Sequence, residues 1–270
     1  MNNVFEVLHK YYGYNSFRKG QYEIINNILS KRDTFCILPT GGGKSICYQI
    51  PALLFKGVTI VISPLIALMK DQVDNLKSNG INAEYINSTQ NLESIDSIME
   101  RCRKGEIKLL YIAPERLENE FFKRKLRKLN ISQLAIDEAH CVSMWGHDFR
   151  RSYGLINDFI NSLSIRPVVT AFTATATEIV RKDVVKLLGL RRPYIYIGSF
   201  DRDNLSIRVH IEEDKLELVK DIIKDKENEA GIIYCATRKE VDGLYFYLKD
   251  LGYDVLKYHG GLKDEEKEYY

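Results

Sequence analysis

Cysteine is scarce in this sequence and badly placed for two of its commonest structural uses. The five cysteines, at positions 36, 47, 102, 141 and 235, form no C-x-x-C pair and are odd in number. That excludes a closed zinc module or a disulfide framework within this stretch and points to a reducing compartment. Excess charge is missing too. Lys and Arg number 39 against 37 Asp and Glu, a net charge of +2, so any grip on a polyanion has to come from local patches. No window approaches ~18 uninterrupted apolar residues, and the opening MNNVFEVLHKYYGY has neither the basic start nor the apolar core of a signal peptide. The expectation is a soluble protein, cytoplasmic or associated with the nucleoid, with no membrane partner. Tryptophan occurs once, at Trp145, in the polar setting of Ser143 and His147, where a core ring is not expected.

What is present is a regular alternation of apolar strand segments and helical patterns. Strands are predicted at 34–38, 58–62, 83–86, 109–112, 134–137, 168–173 and 194–198. Most are apolar throughout instead of alternating, which predicts an α/β fold built on a doubly wound parallel sheet with helices on both faces. The polar run SFDRDNL, 199–205, has neither period and reads as a hinge, placed at 201–206 between a first domain, 1–200, and a second βα series, 207–270. In the second series strands are predicted at 207–211, 231–235 and 255–258, with helices at 215–226 and 239–251. Three strands in about 65 residues bury too little apolar surface to be comfortable alone, so this series reads as an incomplete domain of a truncated chain.

Two motifs carry chemistry. LPTGGGKS, 38–45, sits between a strand and an apolar helix, the setting a phosphate loop requires. Thr40 and Gly41, Gly42 and Gly43 let backbone N–H groups turn onto phosphate oxygens, Lys44 supplies a point charge, and Ser45 can ligate Mg²⁺. The strict pattern wants glycine where this chain has Leu38, so the match by that rule is partial, and a glycine-rich turn capping a helix is the alternative. The second motif, DEAHCVSMWGHDFR, 137–150, follows an apolar strand and so delivers Asp137 and Glu138 to its carboxyl end, where α/β sheets bind ligands. Alone, such a pair could also be negative charge at a helix N-terminus. The basic run KRKLRK, 123–128, is better read as the solvated face of an amphipathic helix, because Phe122, Leu126 and Leu129 recur at helical spacing.

YYGYNSFRKGQ (11–21), LPTGGGKS, SPLIALMKDQV (63–73), YIAPERL (111–117), DEAHCVSMWGHDFR, AFTATAT (171–177), SFDRDNL, IIYCATR (232–238) and YHGGL (258–262) together resemble the RecQ family of DNA helicases in order and spacing. The resemblance implies two RecA-like lobes closing on ATP, the second only begun here, and accepts Leu38 in the phosphate loop. By matched position it implies an adenine-recognition set of Tyr14, Arg18 and Gln21, in place of a core tyrosine and two solvated side chains. It assigns Lys44 and Ser45 to phosphate and Mg²⁺, Asp137 to Mg²⁺ through water, Glu138 to the attacking water, and His140 to a link with the DNA loop. Trp145, Phe149 and Arg150 become an aromatic-rich loop for unpaired bases and phosphate. Thr173 and Thr175 become hydroxyls for the DNA backbone or a relay to the acid pair, with Ser63, Lys70 and Arg116 as weaker backbone candidates. The implied function is a 3′ to 5′ ATP-dependent DNA helicase, using ATP and Mg²⁺ with no zinc in this stretch, acting on single-stranded DNA and DNA with single-stranded tails in repair and recombination. Asp203 stands where the family commonly has proline. Because the arginine that reaches the γ phosphate is not in this stretch, the chain alone is expected to turn over ATP weakly. An RNA helicase of the DEAD/DEAH type and a nucleotide-dependent binding module without turnover are the alternatives.

Overall fold

The computed structural model describes residues 4–87, 90–199, 205–211, 214–226 and 229–262, which divide into two compact units at 201/202. In the first unit, helices α1 (Val4–Tyr12) and α2 (Gln21–Leu29) lead into β1 (Thr34–Ile37), α3 (Lys44–Leu54), β2 (Val58–Ile62), α4 (Ile66–Ser78) and β3 (Ala83–Ile86). Then follow α5 (Leu92–Arg103), β4 (Leu109–Ile112), α6 (Glu120–Leu126), β5 (Ile131–Ile136), α7 (Leu155–Asn161), β6 (Val168–Thr173), α8 (Glu178–Leu187) and β7 (Tyr194–Ile197). The seven strands form one sheet in the order β3-β4-β2-β5-β6-β1-β7, with every pairing parallel.

The period of two along each strand sorts its side chains into two cores. Phe35, Ile37, Ile60, Ile62, Leu134 and Ile136 face the layer of α5 to α8, packing with Ile95, Phe122, Phe159 and Val184. Cys36, Val61, Tyr111, Ala135 and Phe172 face the opposite layer, where α2, α3 and α4 contribute Ile28, Tyr48, Met69 and Val73. Both faces are covered, which is why β1, β2, β4 and β6 are buried at every position. This is the RecA-like doubly wound arrangement expected, with each strand predicted for residues 1–200 found to within three residues at either end.

The far end of the sheet from the phosphate loop is clamped by one carboxylate. Asp33, 3% exposed, takes both ends of the Arg166 guanidinium at 2.9 and 2.6 Å and accepts the backbone N–H groups of Val169 and Arg191 at 3.0 and 2.7 Å. One side chain thereby ties the starts of β1 and β6 to the approach to β7. Asp33→Ala would take the ion partner from a largely buried guanidinium that keeps only the Gly189 and Pro167 carbonyls, and would leave the buried Val169 N–H and the partly buried Arg191 N–H unmatched, so it is expected to destabilise the unit by about 3–5 kcal/mol. In a thermal melt this should appear as a fall of roughly 10 °C, whereas a shift within 2 °C or so would refute the clamp.

In the second unit the described residues hold two helices, α9 (Lys215–Asp225) and α10 (Arg238–Asp250), the latter opened by a capping box between Thr237 and Glu240. The strands predicted at 207–211, 231–235 and 255–258 are corrected, because none of these segments is assigned as a strand among the described residues. A strand requires ladder bonds to a neighbour, and side chains such as Ile211 (97% exposed) and Tyr234 (91%) lie open instead. The predicted hinge falls largely at 200–204, outside the described residues, as does the EEKEYY ending. No helix among the described residues is long and apolar enough to cross a membrane.

Candidate nucleotide and nucleic-acid site

Sheet order puts β5, β6 and β1 side by side, so their carboxyl ends bring together Asp137, Thr173 and the phosphate loop from distant parts of the sequence. Gly41 and Gly43 have φ of +76° and +79°, the left-handed region glycine adopts without penalty, and Gly43 leads directly into α3. No side chain caps that helix. Its first N–H groups are therefore left for an anion, and the dipole favours negative charge there. Lys44 Nζ lies 3.4 Å from the Leu38 carbonyl, folded over the loop it would serve.

The expected adenine set is engaged with this loop. Gln21, 2% exposed, accepts the Arg18 backbone N–H at 2.9 Å and donates to the Gly43 carbonyl at 3.1 Å. The Arg18 guanidinium bonds the Gly41 carbonyl, while Tyr14 is 53% exposed. Gln21 is thus a buried brace and not the solvated side chain of the alternative reading. A Cβ on Gly43 would come within 2.2 Å of its amide nitrogen, which explains the glycine. Thr40 is exposed at the mouth of the loop.

At the end of β5 the chain turns sharply. Glu138 adopts φ 46° and ψ 47°, a left-handed conformation costly for a side chain with a Cβ, and it precedes the short 3-10 helix Ala139–Val142. Asp137 accepts the Glu138 backbone N–H at 3.0 Å, and its own carbonyl accepts the Tyr153 hydroxyl at 2.8 Å. Burial, reinforced by the neighbouring Glu138 charge, pushes the Asp137 carboxyl up to about 6. A carboxylate so far desolvated is suited to a cation. Glu138 moves the other way, held below the usual carboxylate range by its contact with His140.

His140 is buried, with Nδ1 2.8 Å from Thr173 Oγ1 and 3.3 Å from Glu138 Oε2. Thr173 donates its own proton to the Thr175 carbonyl at 3.0 Å, so it can only accept from the ring, which fixes the Nδ1–H tautomer. Thr173 is fully buried, and of the two roles predicted for it the relay to the acid pair fits that position better than a contact to the DNA backbone. Thr175 is exposed beside it.

Beyond His140 the chain forms a loop rooted in the core with an open tip. His147 stacks on His140 at 4.0 Å, and Ser143 donates to Asp183 on α8 at 2.6 Å while accepting the Trp145 N–H at 3.2 Å. Trp145 is 75% exposed, Met144 77% and Phe149 47%, so the core-filling alternative for Trp145 and Phe149 fails. Arg150 is held by Asp148 at 3.2 Å and by the Pro64 carbonyl at 2.9 Å. Of the weaker candidates, Lys70 is exposed, Ser63 is buried, and Arg116 bonds the Asn87 carbonyl and lies over the Phe122 ring. The basic run at 123–128 is paired with acids, Lys123 and Arg127 with Glu120 and Lys125 with Asp96, as a solvated helix face would be. Tyr153, Asp183 and Gln72 were missed by the sequence reading; each acts through a partner 16 to 40 residues away, and such pairings leave no periodic signal.

Ser45 and Asp137 suit Mg²⁺, a hard cation commonly held by one or two protein oxygens together with the phosphates of its nucleotide. Among the described residues no group of three or more His, Cys, Asp or Glu could hold a metal by itself.

A glycine-rich phosphate loop and an acid pair lie together on this RecA-like sheet, and residues 18–183 match the DEAD/DEAH box helicase family, to which the chain belongs. Within it the chain is of the RecQ type. It is 48% identical over 263 residues to the ATP-dependent DNA helicase RecQ of Bacillus subtilis (strain 168), and 42% identical over 263 residues to that of Pasteurella multocida (strain Pm70). Each match covers 97% of this chain, which spans 44% and 42% of the respective relatives. The fold also resembles the DUF1998 helicase MrfA bound to DNA, with a TM-score of 0.76 at 16% identity, covering 100% of this chain and 42% of that one.

Proposed function

We propose that this chain carries the nucleotide-hydrolysing lobe of a 3′ to 5′ DNA helicase of RecQ type, which couples ATP hydrolysis to movement along single-stranded DNA and to unwinding in repair and recombination. The relatives' printed activity, ATP-dependent DNA helicase, supports the substrate class. One observation carries the coupling: the carboxylate suited to activating water touches His140, and His140 stacks on a residue of the loop that exposes Trp145.

In this reading the N–H groups at the start of α3 and Lys44 hold the phosphates, and Ser45 directly and Asp137 through water would hold Mg²⁺, whose charge would offset the negative charge developing on the transferred phosphoryl group. Glu138 orients the attacking water and takes its proton. Trp145 and Phe149 stack on unpaired bases, and Arg150 exchanges its Asp148 contact for a phosphate. The setting is the cytoplasm or nucleoid, and the DNA carries a single-stranded tail.

Stacking on one base is worth about 1–3 kcal/mol, so Trp145→Ala is expected to cut the stimulation of ATP hydrolysis by single-stranded DNA roughly 5- to 100-fold while basal hydrolysis is unchanged. Steady-state rates with and without oligonucleotide measure both. Equal loss of basal and stimulated rates would break the division of labour, and stimulation by RNA but not by single-stranded DNA would overturn the DNA assignment.

A further inference from the structure

Behind the phosphate loop lies a polar cluster that the proposed reaction does not use. Tyr12 of α1, Tyr48 and Gln49 of α3, Gln72 of α4 and Tyr111 of β4 meet there, in a layer otherwise filled by Met69, Val73, Ala135 and Phe172. Polar groups in such a place are costly unless paired. Here they are paired with one another. The Tyr12 hydroxyl donates to Gln49 Oε1 at 2.9 Å, and Gln49 Nε2 donates to the Tyr111 hydroxyl at 3.2 Å and to Gln72 Oε1 at 3.3 Å. The hydroxyls of Tyr48 and Tyr111 each lie 3.2 Å from the same Gln72 oxygen.

Three donors around Oε1 fix the orientation of the Gln72 amide, since the flipped form would set its NH₂ against them. Both phenols can donate to that oxygen, which has no proton of its own. The other end of the amide then has one place to go. Nε2 donates to Ser45 Oγ at 3.3 Å. A serine hydroxyl has two lone pairs and one proton. Its proton can go to the Tyr48 hydroxyl, with which it is also hydrogen-bonded, and with one lone pair taken by Gln72 the second remains for a further partner.

We propose that Gln72 is a positioning residue for the divalent cation, setting the Ser45 hydroxyl so that its free lone pair meets the cation that accompanies ATP. The proposal rests on the phosphate-loop reading above and adds a helix to it. Gln72 belongs to α4, and the Pro64 carbonyl just ahead of α4 is the one Arg150 holds. The segment 63–73 therefore touches the metal-binding serine at one end and the root of the aromatic loop at the other.

The test is a Mg²⁺ titration of the binding of a fluorescent ATP analogue to the intact chain. Gln72→Met keeps length and volume but removes both hydrogen-bonding ends. It should raise the Mg²⁺ concentration at half-saturation about tenfold, as loss of a group supporting a metal ligand does, and leave affinity in EDTA unchanged. Tyr111→Phe keeps the amide and loosens its orientation, for a shift of about threefold. Ser45→Ala should remove the Mg²⁺-dependent gain, with no further loss on adding Gln72→Met. An unchanged titration in folded Gln72→Met, or a tenfold loss added in full to that of Ser45→Ala, overturns the proposal. If Gln72→Met does not fold, Tyr111→Phe decides, and the absence of any shift there overturns it. If Ser45→Ala leaves the Mg²⁺ dependence intact, the phosphate-loop reading itself has failed and this one falls with it.

Discussion

Lys44→Ala is expected to abolish ATP turnover, basal and DNA-stimulated alike, and to weaken ATP binding by about 100-fold or more. Lys44 stands at the start of α3, and its ammonium lies 3.4 Å from the Leu38 carbonyl, beside the loop's backbone. A hydrogen bond to a charged group contributes about 1.5–3 kcal/mol, and an ammonium bridging two phosphates makes two of them. At 1.4 kcal/mol per tenfold, their loss amounts to at least two orders of magnitude in affinity. There is also an indirect effect. Lys44 is one of the charges that draw the Asp137 carboxyl down, so its removal makes that acid still harder to ionise and the Mg²⁺ site weaker. Calorimetric titration with ATP and Mg²⁺ measures the first effect directly. Affinity within threefold of the parent protein would remove Lys44 from the site.

Glu138→Gln is expected to lower turnover by about 10² to 10⁴ while ATP affinity changes little, since a positioned base contributes on that scale. The substitution keeps the shape and removes the charge. In the parent protein that charge is secure at neutral pH, because the contact with His140 holds the Glu138 carboxyl below its ordinary range. The strained backbone at Glu138 gives a second reason to look here, since a non-glycine residue persists in the left-handed region only where its surroundings enforce it. The neighbouring acid sets the contrast. Burial pushes Asp137 up to about 6 and the His140 contact holds Glu138 low, so Glu138 is the carboxylate already charged at neutral pH and able to orient water, while Asp137 needs a cation beside it to ionise fully. A kcat for Glu138→Gln within tenfold of the parent, with unchanged affinity, would assign the water-activating role elsewhere.

The sheet was legible because most of its strands are buried on both faces and the helices between them carry a 3.6-residue period. The segments 207–211, 231–235 and 255–258 show where that reading fails. About half or more of their residues are β-branched or aromatic, a smaller share than in β2 or β7, and composition in any case reports the preference of a segment and not the presence of a neighbour to pair with. In the site, the residues that would touch nucleotide were readable from the glycine loop and the acid pair. The use of Gln21 was not. Its side chain reads equally well as an adenine contact or a solvated group, and only the distance to the Gly43 carbonyl shows it bracing the loop. The burial of Thr173 against His140 was likewise not readable from the TATAT segment. Pairings of this kind join side chains far apart in sequence, and no local pattern encodes them.

The position of β1 bears on how the molecule comes into being. Its neighbours in the sheet are β6 and β7, so the strand completed by residue 37 pairs only with segments that end at residues 173 and 197. During synthesis the phosphate loop therefore emerges on a strand with no partner for more than 100 residues, and closing so long a loop precedes any reward from contact. Phe35 and Ile37, fully covered in the finished sheet, must stay out of mispairing for that interval. The nucleotide site is consequently among the last features to form. Ribosome-released fragments ending before β6 should bind no ATP, and the rate at which nucleotide binding returns on refolding should track the insertion of β1 and not the earlier pairing of β2 with β4.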